Sequence, residues 1–336
     1  VDDSTEGMNR HKFLVAVTPR GTHEGGFSPK HGLRLRAGMH SIQGMRREME
    51  DAHQIATKQS PATKLFDLSD EGFSALDSLT DGSFFAVFDG HGGDRAAIYA
   101  AEHLHRYFLT NPKFPAECEG ALKDAFAQTE AEILQNLRDE GDGTTAVVAF
   151  VHEGNLLIGN VGDSAAVLCR GKDALRLTEP HNAKANAAER ERIIEAGGRL
   201  AAHDTRVAHP MLNPRFFSIA VTRALGDSMM KDPAFTKGQP SGLIADPETK
   251  CLPLHMSDKF LILACDGVWD VLEPQQAVDV VTDALREHEA DPQKACEVLV
   301  QTAFDRGSTD NITGIIVTFD AGTVPEGVEE VASPEQ

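Results

Sequence analysis

The chain has 336 residues, enough for one large domain or two small ones, and its 41% hydrophobic and 25% charged residues are ordinary for a soluble globular protein with a sizeable core. Asp and Glu number 52 against 32 Lys and Arg, and the net charge of −20 argues against a nucleic-acid partner and against an anionic membrane surface. That surplus of acid suits metal cations or basic partners, although it often serves solubility alone.

Cysteine use bounds the environment. Cys118, Cys169, Cys251, Cys265 and Cys296 are scattered, without a C-x-x-C pair. This speaks against a disulfide framework or a structural zinc site and for a reducing compartment. No apolar run is long enough to span a bilayer and no secretory segment is visible, so cytoplasm or nucleus is expected. The sequence starts at Val1, which leaves an upstream segment open.

Residues 1–32 are polar and Gly-rich and read as a loose arm. From Leu33 to Gln43 apolar residues alternate, which predicts a strand. Arg46, Glu48 and Glu50 follow at every other position and would share one face of an extended segment, ordinarily a solvated one. The stretch 58–82 is a polar loop. Phe84–Phe88 is a five-residue apolar run, hence a strand buried on both faces, and it runs into Asp89-Gly90-His91-Gly92-Gly93. Helical spacing covers Asp94–Phe108 and Glu119–Arg138. Gly141-Asp142-Gly143 breaks the second helix. Thr145–Val151, Leu156–Val161 and Ala165–Cys169 read as strands joined by the turns His152–Asn155 and Gly162-Asp163-Ser164.

Ala187–Ala196 is helical and ends at Gly197-Gly198. Asp204–Phe217 is irregular, Ile219–Gly226 a short ordered piece, and Ser228–Gly242 a loop. Lys259–Cys265 is an apolar strand running into Asp266-Gly267. Two amphipathic helices, Pro274–Arg286 and Pro292–Arg306, precede Asp310-Asn311 and a last strand, Ile312–Phe319. Residues 321–336 form an acidic tail with a disordered composition. With no repeat and no linker, one domain spans 33–320.

Several acidic residues stand at strand boundaries: Asp89, Asp163, Asp266 and Asp310, with Glu50-Asp51 expected at the end of an earlier strand. Each alone reads as a turn residue, and the Asp89/His91 pair alone as a tight turn with a capping Asp. Together they suggest a carboxylate cluster at one edge of the core. Like charges held close raise one another's pKa, a penalty that a cation removes. Oxygen ligands favour Mg²⁺ or Mn²⁺ over zinc. A pair of such ions generates a nucleophilic hydroxide near neutral pH.

The motifs Arg46-x-Glu48-Met49-Glu50-Asp51-Ala52-His53, Phe85-Ala86-Val87-Phe88-Asp89-Gly90-His91-Gly92-Gly93, Gly143-Thr144-Thr145-Ala146, Gly162-Asp163-Ser164, Ala196-Gly197-Gly198, Thr222-Arg223-Ala224-Leu225-Gly226-Asp227, Leu263-Ala264-Cys265-Asp266-Gly267-Val268-Trp269-Asp270 and Ser308-Thr309-Asp310-Asn311-Ile312-Thr313 occur in this order. The set resembles the metal-dependent protein serine/threonine phosphatases of type 2C over nearly the whole chain. The resemblance implies an α+β fold in which a central antiparallel β-sandwich is flanked by helices on both sides (α-β-β-α). It implies hydrolysis of phosphoserine and phosphothreonine by in-line attack of a hydroxide bridging two Mn²⁺ or Mg²⁺ ions.

Residue by residue, the resemblance makes Asp89 the bridging carboxylate and Gly90 a backbone-carbonyl ligand. Asp266 and Asp310 become further ligands, and Glu50 a carboxylate that holds metal directly or through water. Asp51 would orient metal-bound water. Asp163 and Asp270 match a weaker third-metal site found in many members. Arg46 is the implied phosphate-binding residue and His91 the implied general acid. The implied partners are phosphorylated proteins, with no nucleic acid or membrane, and a monomer is expected.

Chemistry supports these roles independently: an arginine fork holds two phosphoryl oxygens, and an imidazole can protonate a departing alkoxide. The plain alternatives are a surface ion pair of Arg46 with Glu48 or Glu50, and a structural contact for His91. Two other readings are weaker. A non-catalytic, phosphatase-like scaffold should have lost ligands, yet Asp89, Asp266 and Asp310 are present. The other two-metal phosphoesterase type needs a Gly-Asn-His-Glu segment, and Gly159-Asn160 is followed by Val161. Met45, Ala165, Thr178–Ala183 and Asn213–Phe217 depart from the family pattern, which bears on substrate contacts and the flap rather than on the metal ligands.

Overall fold

A computed structural model describes residues 33–57 and 82–321. The expected arm (1–32), nearly all of the polar loop (58–81) and the tail beyond 321 lie outside the described residues.

Two five-stranded antiparallel sheets stack face to face. One runs Leu33–Ile42, Ile312–Ala321, Asp258–Ala264, Ala165–Arg170, Asp173–Arg176. The other runs Glu248–Pro253, Asn155–Val161, Ala146–His152, Ser83–Phe88, Ala52–Thr57. Strand side chains alternate between faces, and both faces are covered, which is why the central strands read as unbroken apolar runs. Phe85 and Val87 point between the sheets and meet Leu168, Leu261, Leu263, Ile315 and Val317. Phe84 and Phe88 point outward against Leu104 and Phe108 of helix Arg95–Leu109 and Leu122 and Phe126 of helix Cys118–Asn136. On the far side Phe260, Ile262 and Ile316 pack against Val278, Val281, Leu299 and Val300 of helices Pro274–Glu287 and Pro292–Asp305. Each such fully buried side chain contributes roughly 1.5–3 kcal/mol. The α-β-β-α layering expected from the resemblance is the observed one.

Five long helices and the central strands fall within a few residues of their sequence-based bounds. The departures have physical causes. Residues 44–48 turn rather than extend, so Arg46, Glu48 and Glu50 do not share a strand face. Gly44 has φ +63°, and a Cβ there would meet the Asp310 carbonyl oxygen at 1.9 Å. Glu50 and Asp51 stand just before strand Ala52–Thr57 instead of ending an earlier one. That strand is an edge strand in which only Ala56 is buried, so no apolar run announces it. The edge strands Asp173–Arg176 and Glu248–Pro253 escaped for the same reason. Ser228–Gly242 is not all loop: it holds two single-turn helices, Ser228–Lys231 and Pro233–Thr236. A small sheet of Arg199–Ala201, Arg206–Ala208 and Ser218–Ile219 follows helix Ala187–Glu195 and orders part of the segment expected to be irregular.

Candidate active site

One end of the sandwich collects the acidic residues. Ser83–Phe88 delivers Asp89 from one sheet; Asp258–Ala264 and Ile312–Ala321 deliver Asp266 and Asp310 from the other. Ala52 pairs with Phe88, which sets Asp51 beside Asp89. Ala165 pairs with Ala264, which sets Asp163 near Asp266. Carboxylate oxygens of Asp51 and Asp89 and the Cys265 Sγ all lie within 4.8 Å of one another.

The electrostatics follow from this crowding. The Asp89 carboxyl is held well above the usual carboxylate range by removal from solvent and then by the charges of Asp266, Asp51, Asp163 and Asp310. Asp266 is pushed up to about 8 by desolvation and by Asp163, Asp310, Asp270 and Asp51. Asp51 rises to about 6, again chiefly through desolvation, although the Thr313 hydroxyl bonds to it and pulls the other way. Glu50 and Asp163 are raised too, each first by desolvation. Glu50 lies toward Arg46 and His91 and accepts the Gly93 N–H.

Hydrogen bonds hold these groups in place. Asn311 is the hub: Nδ2 donates to the carbonyls of Gln43 (2.8 Å) and Glu48 (3.0 Å), and Oδ1 accepts the Glu50 N–H at 2.8 Å. It thereby shapes the turn that carries Arg46 and Glu50. Thr313 Oγ1 donates to Asp51 Oδ2 at 2.6 Å and pairs with Ser41 Oγ at 2.7 Å. Gly90 has no room for a side chain, since a Cβ would sit 2.3 Å from the Glu50 carbonyl oxygen.

Two cationic groups flank the cluster. Arg46 Nη2 bonds Asp310 Oδ2 at 2.5 Å, so its partner is Asp310 rather than Glu48 or Glu50. Its side chain is 54% exposed at the rim. His91 Nε2 lies 2.9 and 3.0 Å from the two Asp227 oxygens. Burial pulls the imidazole pKa down, but Asp227, Asp163 and Glu50 outweigh it and the net shift is upward, favouring the imidazolium.

These residues fit a hard divalent cation. Asp51 Oδ1 is shut off from water yet has no hydrogen-bond partner, a costly state for an acceptor. The Cys265 thiol is kept protonated by burial and by the Asp51 and Asp89 charges, and it donates to the Asn311 carbonyl at 3.5 Å. The donor set is therefore oxygen-rich, as Mn²⁺ and Mg²⁺ require.

Sequence reading singled out Glu50, Asp51, Asp89, Asp163, Asp266 and Asp310, and the fold brings them to one end of the sandwich, with Asp270 close enough to act on Asp163 and Asp266. It gave no role to Asp227, Asn311, Thr313 or Cys265. The signal for Asn311 was a polar residue opening an apolar strand, where it is only 4% exposed. A groove of about 750 Å³ between helix Cys118–Asn136 and segment 239–247 takes none of its lining from these carboxylates. No helix among the described residues is long and apolar enough to cross a membrane.

A sequence model described as protein phosphatase 2C matches residues 35–312. The chain is 36% identical over 313 residues to a rice (Oryza sativa subsp. japonica) protein named probable protein phosphatase 2C 47, covering 90% of this chain and 72% of that one. It is also 36% identical over 304 residues to rice probable protein phosphatase 2C 2, covering 87% and 73%. Among solved structures, a serine-threonine phosphatase 2C from Toxoplasma gondii superposes with TM-score 0.69 at 21% identity, over 85% of this chain and 95% of that one. A C. elegans sex determining protein does so with TM-score 0.66 at 22% identity, over 85% and 64%. At these identities the two structures speak for the fold. On the sequence match and the relatives, the chain belongs to the protein phosphatase 2C family and is a protein serine/threonine phosphatase.

Proposed function

We propose that residues 33–320 act as a monomeric domain that hydrolyses phosphoserine and phosphothreonine side chains of proteins by one in-line displacement at a centre for two Mn²⁺ or Mg²⁺ ions. The carboxylate cluster around Asp89, whose members raise one another's pKa, supports the reading most directly. Asp89, the Gly90 carbonyl, Asp266, Asp310 and Glu50 would hold the pair, and Asp163 and Asp270 a weaker third ion. Such cations supply water that ionises near neutral pH and offset charge on the phosphoryl group.

The chain's own residues do the rest. Arg46 spends one guanidinium N–H on Asp310 and keeps others to orient phosphoryl oxygens at the rim. Asp51 Oδ1, an acceptor with no protein donor, orients the attacking water. His91, whose charged form Asp227 favours against the pull of burial, gives its proton to the departing serine or threonine oxygen, an alkoxide that leaves poorly without one. Cysteine takes no part as nucleophile: the thiol at the centre is held well above its usual range.

Turnover of a phosphothreonine peptide, followed with Mn²⁺, with Mg²⁺ and with excess chelator, tests the proposal. Metal-dependent phosphate release is expected; no release at any metal concentration overturns it.

A further inference from the structure

A minimal sheet places a second carboxylate behind the histidine. Leu225–Gly226, Gly143–Thr144 and Gly90–His91 pair in that order, with Gly143 opposite both Gly226 and His91. The side chains of Asp227 and His91 meet across Gly143, where a Cβ would lie 2.2 Å from Asp227 Oδ2 and 2.5 Å from His91 Nε2. The Asp227 side chain is 4% exposed. Its backbone is left-handed, φ 58° and ψ 49°, a conformation that a non-glycine residue keeps only where its surroundings over-determine it.

The surroundings are identifiable. Asp227 N donates to the Asp142 carbonyl at 2.9 Å. Gly226 N donates to Glu130 Oε2 at 2.6 Å. Lys231 Nζ bonds Glu130 Oε1 at 2.7 Å and the Ala224 carbonyl at 2.6 Å. The Glu130–Lys231 pair thus grips residues 224–226 from both ends of the short strand, immediately before Asp227. The two side chains are 15% and 10% exposed and line the wall of the groove, outside the carboxylate cluster.

We propose that Asp227 is a positioning residue for the dephosphorylation reaction and that the Glu130–Lys231 pair fixes it in place. By taking both Asp227 oxygens on Nε2, the ring of His91 is locked in one orientation, and Nδ1 is the nitrogen Asp227 does not hold. Glu130 and Lys231 touch neither substrate nor His91; they act through the Gly226 N–H and the Ala224 carbonyl. The inference rests on the general-acid reading of His91.

The test compares leaving groups in saturating Mn²⁺, using the full chain. A phosphothreonine peptide leaves as an alkoxide that needs a proton; p-nitrophenyl phosphate does not. For Asp227→Asn the expected loss is on the order of 100-fold on the peptide and only slight on the aryl ester. Glu130→Ala should lose about tenfold with the same bias, through displaced geometry. Glu130→Gln, whose amide oxygen can still accept the Gly226 N–H, should recover most of that loss. His91→Gln is the reference. If it is biased against the peptide while Asp227→Asn and Glu130→Ala lose equally on both substrates, the positioning inference is overturned and the acid assignment stands. If His91→Gln itself is unbiased, the acid assignment falls and the inference with it. Should Asp227→Asn fail to fold, the two Glu130 variants decide alone.

Discussion

Two sheltered carboxylate sites in this protein behave in opposite ways. Glu189 is 3% exposed. It accepts hydrogen bonds from Arg192 at 2.8 and 3.0 Å, from Arg223 at 2.8 Å and from Thr222 Oγ1 at 2.6 Å. Burial alone raises its pKa, but the two guanidinium groups and the hydroxyl more than reverse that, and the carboxyl is held far below its usual range. The group is satisfied within the chain and staples helix Ala187–Glu195 to the segment at 222–224. At the sandwich end, Asp51, Asp89, Asp163 and Asp266 face one another, and their pKa values move up. A carboxylate that meets its counter-charge inside the fold is a structural tie; carboxylates that meet each other ask for a cation from outside.

Neutralising one member should separate the two sites most sharply. Asp266→Asn is expected to cut metal-dependent turnover by at least about a thousandfold, since it removes charge from the proposed cation centre. The same change should raise the melting temperature of the chelated protein, because it relieves repulsion. Near-normal turnover in saturating Mn²⁺, or a lower melting point, would remove the contrast.

Glu189→Gln should do the reverse. Leaving Arg192 and Arg223 uncompensated costs about 2–4 kcal/mol of stability, moderated because both guanidiniums remain partly exposed. Chemical denaturation would measure it, and turnover per folded molecule should stay within a few-fold of wild type.

The pH dependences of the two sites also oppose each other. A carboxyl whose folded pKa is raised contributes stability below its unfolded pKa and loses it as pH rises through the folded value. In chelator, melting temperature should therefore fall between about pH 4 and pH 8, as Asp51 ionises near 6 and Asp266 near 8. Glu189, held low, contributes above its ordinary range and loses that only in acid. Glu189→Gln should flatten the acid limb alone, and Asp266→Asn the rise in repulsion on the other side. The smallest change is Thr313→Val. Losing the hydroxyl that bonds Asp51 and Ser41 should cost about 1 kcal/mol and shift the Asp51 titration upward.

Much of this was legible beforehand, and the reason lies in particular residues. Phe84–Phe88 and Phe260–Ala264 are covered on both faces, so their apolar runs marked the central strands and, at their ends, Asp89 and Asp266. The turn at 44–48 was not legible, because its shape comes from Asn311, more than 260 residues away, bonding Gln43, Glu48 and Glu50. Asp227 stood inside a recognised motif, but its role depends on two strand pairings that bring Gly143 between it and His91. Edge strands such as Ala52–Thr57 bury too little to leave a pattern. Strand ends can be read locally; which carboxylate meets a guanidinium and which meets another carboxylate is decided by register between distant strands.

Proton release on metal binding probes that difference at its source. With Asp266 pushed to about 8 and Asp89 held well above its usual range, the metal-free cluster carries protons at pH 7 that a cation must displace. Calorimetric titration of Mn²⁺ into chelator-treated protein, repeated in buffers of different ionisation enthalpy, counts them. Release of about one proton or more per molecule is expected, accompanied by a higher melting temperature through mass action. A binding heat that does not change with buffer, with no gain in melting temperature, would contradict the account.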